Sequence, residues 1–272
     1  MSTISEFVRP IAAPASLLAD SPATALTITT VAESAPSPVV PSLVHGELPT
    51  ISIAESDKYY GSHPESNWAI LDSIMAGAYP AYGNDDKATF SSLIGILNTG
   101  ITVFVCLQAE YVADAPRMAW YKSTGIRPYM LDIKYIFDNR ALYPELTTTS
   151  TFADVEFHHL PIVDCKTVAD TIVLEFAHKL DEMVRAGKKI YLHCWGGHGR
   201  TGTLVCLVFH LQFGIGAEEA ITHCNNVHNF RRHTVIVTSP QTAEQNDQVR
   251  RIIGDMIHQR QLINPEKETD SK

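Results

Sequence analysis

The segment Ile101–Leu107 reads Ile-Thr-Val-Phe-Val-Cys-Leu, a continuous run without a charge. A strand with one wet face alternates apolar and polar residues. An unbroken β-branched run needs cover on both faces, as in the middle of a parallel sheet with helices above and below. The neighbouring segments supply such helices. Asp85–Asn98 places Phe90, Leu93, Ile94, Ile96 and Leu97 along one side, with Gly100 as the stop. Ala169–Ala186 is amphipathic through Ile172, Leu174, Phe176, Leu180 and Val184 and ends before Gly187. Further strands are expected over Trp68–Pro80, Val155–Ile162 and Lys189–His193, and further helices over Gly202–Phe213, Ala217–Val227 and Pro240–His258. Residues 108–153, with their Tyr, Thr and Pro, are expected to form loops with short elements. Strands alternating with helices predict an α/β fold, with a central, mostly parallel, twisted sheet flanked by helices.

The chain has three parts. Residues 1–64 are rich in Ala, Ser, Pro and Thr, with prolines too frequent for a helix, as in Ala35–Pro41. They read as a low-complexity, disordered tail, with Leu48–Ile53 as a stretch that could instead pack on the domain. Residues 65–262 form the folded domain, and 263–272 a polar C-terminal tail. With 272 residues and 45% apolar content the chain can bury one sizeable core. No run of eighteen apolar residues predicts a membrane span, and the N-terminus lacks the pattern of a secretory signal. The five cysteines have irregular spacings. That suits a reducing compartment, the cytoplasm or also the nucleus, better than a disulfide framework. A net charge of -9 disfavours a nucleic-acid footprint. It leaves room for a local anion pocket.

Such a pocket is legible in His193-Cys194-Trp195-Gly196-Gly197-His198-Gly199-Arg200-Thr201-Gly202, between a predicted strand and a predicted helix. Gly196, Gly197 and Gly199 let the backbone turn sharply and aim its N–H groups inward, with Trp195 and His198 completing the cradle. The next helix offers its positive N-terminal end to the same point. Arg200 presents a planar fork that matches two phosphate oxygens. Cys194, at the floor, stands where cations and a helix N-terminus favour the thiolate, the nucleophilic form. His193 is expected to order the loop by hydrogen bonding. A nucleotide loop of the G-x-x-x-x-G-K-[ST] type is excluded because no Lys fills the required place. A dinucleotide fingerprint does not fit either.

These residues resemble the protein-tyrosine-phosphatase superfamily, whose signature His-Cys-x5-Arg-Ser/Thr is matched by 193–201. Within it the chain is similar to the dual-specificity group, and most to the cyclin-dependent-kinase-inhibitor-3-type phosphatases, whose loop begins His-Cys-aromatic-Gly-Gly-x-Gly-Arg. The resemblance spans roughly residues 68–260 and implies a phosphoric-monoester hydrolase that works through a cysteinyl-phosphate, without cofactor or metal. It implies an acid on a loop about thirty residues before the cysteine. Asp164, in Pro161-Ile162-Val163-Asp164, fits that place, to protonate the leaving oxygen and then activate water. Asp170 competes, but reads better as a cap of the following helix. The resemblance further implies that Gln241 and Gln245 position water, and that Thr201 stabilises the leaving thiolate. Read without the resemblance, Ser239-Pro240 with Glu244 is ordinary helix capping. In some relatives a cysteine at a strand end bonds the oxidised nucleophile, which makes Cys106 a redox candidate.

Neither Trp195 nor His198 is Lys, the residue that phosphoinositide-cleaving relatives often place there. A phosphorylated protein is therefore the expected substrate. The Lys-Asn-Arg-Tyr segment of tyrosine-specific enzymes has only a chance echo in Asp138-Asn139-Arg140-Ala141, so phosphotyrosine against phosphoserine/phosphothreonine stays open. His158 and His159 are adjacent in a predicted strand and point to opposite faces, which argues against a metal pair. The alternatives are an inositol-phosphate, phosphoinositide or RNA 5′-end phosphatase, and a pseudophosphatase that holds phosphorylated partners. A rhodanese-like anion loop would lack the upstream Asp and downstream Gln segment.

Overall fold

The computed structural model describes residues 46–120, 126–233 and 236–263. The expectations for residues 1–45 and 264–272 lie outside the described residues. Five strands form one sheet: β1 (Ser66–Ile70), β2 (Ile74–Gly77), β3 (Val103–Gln108), β4 (Glu156–Ile162) and β5 (Ile190–His193). Their order is β1-β2-β5-β3-β4. Only the β1–β2 pair is antiparallel; β2–β5, β5–β3 and β3–β4 run parallel. Among the described residues the α-helices are α1 (Asp86–Leu97), α2 (Tyr129–Asp138), α3 (Asp170–Arg185), α4 (Gly199–Phe213), α5 (Ala217–His228) and α6 (Ala243–Ile263). The α/β architecture read from the sequence is the one observed.

Every residue of β3 and β5 is buried, as strands covered on both faces must be. Tyr129 of α2 meets Phe104, Phe157 and His193 on one side of the sheet. Helix α4 lies on β2 and β5 and is itself enclosed by α3, α5 and α6. That enclosure explains its composition. Gly199 to Leu211 are all buried, so α4 has no polar stripe for water. Helix α1 starts where Asp85 accepts a hydrogen bond from the Ala88 amide at 2.9 Å.

Trp68–Pro80, expected to carry strand material, holds a hairpin: the chain reverses at Asp72, which adopts φ 58°. Three expectations change. Part of residues 46–64, assigned to the tail, lies against the domain, as the alternative for Leu48–Ile53 allowed. Leu48 and Ile51 pack on the core, Ile53–Tyr59 forms a 3-10 helix, and Tyr59 is buried against Phe230. Ser52 caps that turn through the Ala54 amide. Within 108–153, α2 emerges as a ten-residue helix. It follows Pro128 and buries Tyr129, Met130, Ile133 and Ile136. Finally, α6 is capped by Thr242 and Gln245, not by Ser239 and Glu244. The Gln245 amide donates to Thr242 Oγ1, and the Thr242 amide donates to Gln245 Oε1, a reciprocal capping box. Among the described residues no single helix is long and apolar enough to cross a membrane.

Candidate active site

Strand β5 ends at His193, and α4 begins at Gly199. The loop between them closes one wall of a cleft of about 180 Å³ at the C-terminal edge of the parallel strands. Cys194, Trp195, Gly196, His198, Gly199 and Arg200 line it, facing Asp164 and Cys165 from the β4–α3 loop and Gln241 and Gln245 from the start of α6. Cys194 is buried where the sheet feeds the N-terminus of α4. Amides that lack helical partners there create a positive end that suits an anion.

The loop is held from behind. His193 Nε2 meets Tyr129 Oη at 2.7 Å, and its Nδ1 lies 3.3 Å from the Cys194 carbonyl. The carbonyl can only accept, so Nδ1 carries the proton and Nε2 accepts from the tyrosine. Burial pushes the His193 pKa down to about 3, so the ring is a neutral spacer. Arg231 holds the next turn. Its Nη1 and Nη2 donate to the Gly196 and Gly197 carbonyls at 2.8 and 2.9 Å, and Nε donates to Asn67 Oδ1 at 2.8 Å. With these carbonyls turned outward, the loop's amides are free to face the cleft. Burial lowers the Arg231 pKa to about 10, and it stays cationic at neutral pH. Gly197 has φ 70°, and a side chain there would collide with the Gly77 carbonyl and with Arg231.

Trp195 is 61% exposed at the rim, its ring stacked on Tyr79 at 6.0 Å and 8°. The Tyr79 amide donates to the Trp195 carbonyl at 2.9 Å. His198 Nδ1 meets His228 Nε2 at 2.7 Å. Burial, with the nearby Arg231 charge, lowers these histidines to about 4 and about 3. The His198 carbonyl accepts from Ser239 Oγ at 2.9 Å. Gly199 leaves room for the Gln245 amide, which a side chain would strike.

Arg200 is buried, and its fork spans the cleft. Nη2 donates to Asp164 Oδ1 at 2.7 Å; Nη1 donates to the Ile162 carbonyl at 2.9 Å and to Glu110 Oε2 at 3.3 Å. The Asp164 side chain is 61% exposed and also accepts from the Cys165 amide at 3.0 Å. Asp170 is elsewhere. It is the first residue of α3, bonded to Arg251 and Gln248, and Arg251 holds its carboxyl below the usual range. Gln241 is exposed at the cleft, whereas Gln245 is buried. Thr201 is fully buried and lines a separate small cavity behind the loop, shared with Asn67, His228 and Arg231. Cys106, in register with His193, is fully buried, and burial drives its thiol far above the ordinary range. His158 pairs with Glu156, and His159 bonds the Gln108 carbonyl. Arg140 donates to the carbonyls of Thr148 and Ser150, a structural duty. Among the described residues no three His, Cys, Asp or Glu side chains are placed to hold a metal ion.

The sequence reading missed Glu110, Arg231 and His228. Each sits in a segment without motif character, and its role depends on a partner far along the chain.

Residues 141–251 match the family described as PTP-SAK, Swiss Army Knife protein, DSP-PTPase phosphatase domain. The matched span contains Asp164, the whole loop, Arg231 and Gln245. No curated protein matches the chain. Among solved structures, Tk-PTP in the active form is 20% identical, with a TM-score of 0.45, covering 70% of this chain and 97% of its own. Kinase associated phosphatase, with its catalytic cysteine replaced by serine, is 19% identical, with a TM-score of 0.44, covering 68% and 87%. Human DUSP28 is 10% identical, with a TM-score of 0.45, covering 73% and 99%.

Proposed function

We propose that the chain is a cysteine-dependent phosphatase that hydrolyses phosphotyrosine, and phosphoserine or phosphothreonine, in proteins through a cysteinyl-phosphate. The observation that carries this reading is Cys194 and Arg200 lining one cleft at the N-terminus of α4. A phosphoryl group entering there meets the N-terminal end of α4 and the Arg200 fork, a match of charge and planar geometry.

In this mechanism the Cys194 thiolate attacks phosphorus, and the bond to the leaving oxygen breaks as Asp164 protonates it. The incoming dianion takes the Arg200 nitrogen that now holds Asp164, which frees the carboxyl to carry that proton. In the second half-reaction Asp164, now a carboxylate, takes a proton from water held by Gln241 and Gln245. The water attacks phosphorus, and sulfur leaves as thiolate. Thr201 is proposed to assist that departure by reorienting its hydroxyl. Glu110 keeps the guanidinium in plane. Cys106, beneath the loop, remains the proposed redox partner of Cys194.

Phosphoprotein is favoured over a polyphosphorylated inositol because, among the described residues, the cleft's lining contains one arginine and no lysine. The likeness to cyclin-dependent-kinase-inhibitor-3-type phosphatases is carried by residues 193–200. A phosphatase assay on an aryl phosphate in the presence of chelator, followed by phosphopeptide and phosphoinositide panels, tests both levels. Turnover abolished by Cys194→Ser with phosphate binding retained is the expected result. Preferential hydrolysis of phosphoinositides would overturn the substrate class.

A further inference from the structure

The loop that carries Asp164 runs from Ile162 to Asp170 and is fastened along one face of α6. Thr167 Oγ1 donates to Glu244 Oε1 at 3.0 Å. Gln245 Nε2 lies 3.4 Å from the Lys166 carbonyl. Gln248 Nε2 donates to the Val168 carbonyl at 2.6 Å and to Asp170 Oδ1 at 2.8 Å. Arg251 donates to both Asp170 oxygens, at 3.0 and 3.1 Å. Positions 244, 248 and 251 are spaced i, i+4, i+7, and 245 and 248 are i, i+3, so all four share one helical face.

This matters for Asp164 because its side chain is mostly in water, and the ion pair with Arg200 that holds it here is given up when an incoming phosphate takes that nitrogen. Its place over the cleft is set by the backbone beneath it. Ordering a loop costs backbone entropy at every residue, and a single hydrogen bond offsets no more than one residue's share. A loop held in one pose therefore needs several fasteners, and α6 provides them. Gln248 is the informative one. It is almost fully buried, and both its donor bonds go to the end of this loop.

We propose that this face of α6 is a clamp for the acid loop, and that Gln248 is a positioning residue for Asp164 in phosphoryl transfer. The proposal rests on Asp164 being the proton donor. It predicts a loss that depends on the leaving group. The value of kcat/KM reports formation of the cysteinyl-phosphate. Dinitrophenolate departs without a proton, whereas phenolate needs one. Gln248→Met keeps the side chain's length and removes the donor. It should lower kcat/KM on phenyl phosphate by about 10–100-fold and on dinitrophenyl phosphate by less than about 3-fold. In an Asp164→Ala background, Gln248→Met should add almost nothing on phenyl phosphate, since the group it positions is gone. Equal losses on the two esters, or full additivity with Asp164→Ala, would refute the positioning role and leave Gln248 a structural residue.

If Gln248→Met fails to fold, Arg251→Met at the exposed end of the clamp carries the same comparison, with a loss of about 3–10-fold on phenyl phosphate alone. Amide hydrogen exchange supplies a readout independent of turnover. In either variant exchange at 163–169 should rise at least about tenfold while β5 is unchanged. An unchanged loop would overturn the clamp even in an active enzyme. An inactive wild-type protein whose variants loosen the loop would overturn the phosphatase reading and keep the clamp.

Discussion

At the scale of single residues, the loop joins groups whose roles differ in kind. Asp164 is proposed to protonate the leaving oxygen, so its removal should act on chemistry. Asp164→Ala is expected to slow phenyl phosphate hydrolysis by about 10²–10⁴-fold, with the unfolding midpoint in urea unmoved. Steady-state kinetics and a denaturation curve check the two halves. Gly197 acts on shape. Gly197→Ala puts a side chain at φ 70° against the Gly77 carbonyl and Arg231. It should cost at least about 2 kcal/mol of stability, through backbone strain plus displaced neighbours, and weaken inorganic phosphate binding. Denaturant titration with calorimetry of phosphate binding would measure both; a fully stable, phosphate-binding variant would contradict the geometry described. Cys194, Arg200 and the glycines are legible in the sequence because their chemistry depends on near neighbours in one loop. Arg231 and Glu110 are not, since an isolated arginine or glutamate means little until folding brings it to the loop or to Arg200.

At the scale of elements, legibility followed local self-sufficiency. Helix α1 carries its own apolar stripe and its own cap. Asp85→Ala should therefore cost about 1 kcal/mol, seen in the urea midpoint, and leave kcat/KM unchanged. Strand β3 announces itself by an unbroken apolar run, and α4 by the same property at helical length. Helix α2 was hidden because it is only ten residues long and follows Pro128 in a stretch rich in loop formers. Its buried Tyr129, Met130, Ile133 and Ile136 have helical spacing, the one signal that could have found it. The β1–β2 hairpin was hidden because its turn has no glycine; Asp72 takes the left-handed conformation instead, and its carboxylate meets Lys189. The start of α6 was misplaced because Ser-Pro is a common helix opening, whereas the cap observed is the Thr242–Gln245 pair.

At the scale of the whole molecule, the sheet and α4 form an apolar body around neutral histidines, and this sets the response to acid. Burial lowers His193 to about 3 and His63 to about 4. An unfolded imidazole titrates near about 6.5, so between these values the unfolded chain binds more protons. The stability these groups preserve is complete above about pH 6.5 and is lost as pH falls toward their folded values. Each costs up to about 1.4 kcal/mol per pH unit in that window. The urea midpoint should fall from pH 7 to pH 5; a flat profile would show that the two rings are not buried as neutral species. The same body sets Cys194 in the cleft, and the chemistry proposed rests on its sulfur. The most direct measurement is to mix the full-length protein with an aryl phosphate, quench in acid at early times and map the phosphoryl adduct by mass spectrometry. The expected result is a transient adduct on Cys194 that disappears as turnover is completed and is missing in Cys194→Ser. An adduct on another residue, or hydrolysis that persists in Cys194→Ser, would contradict it.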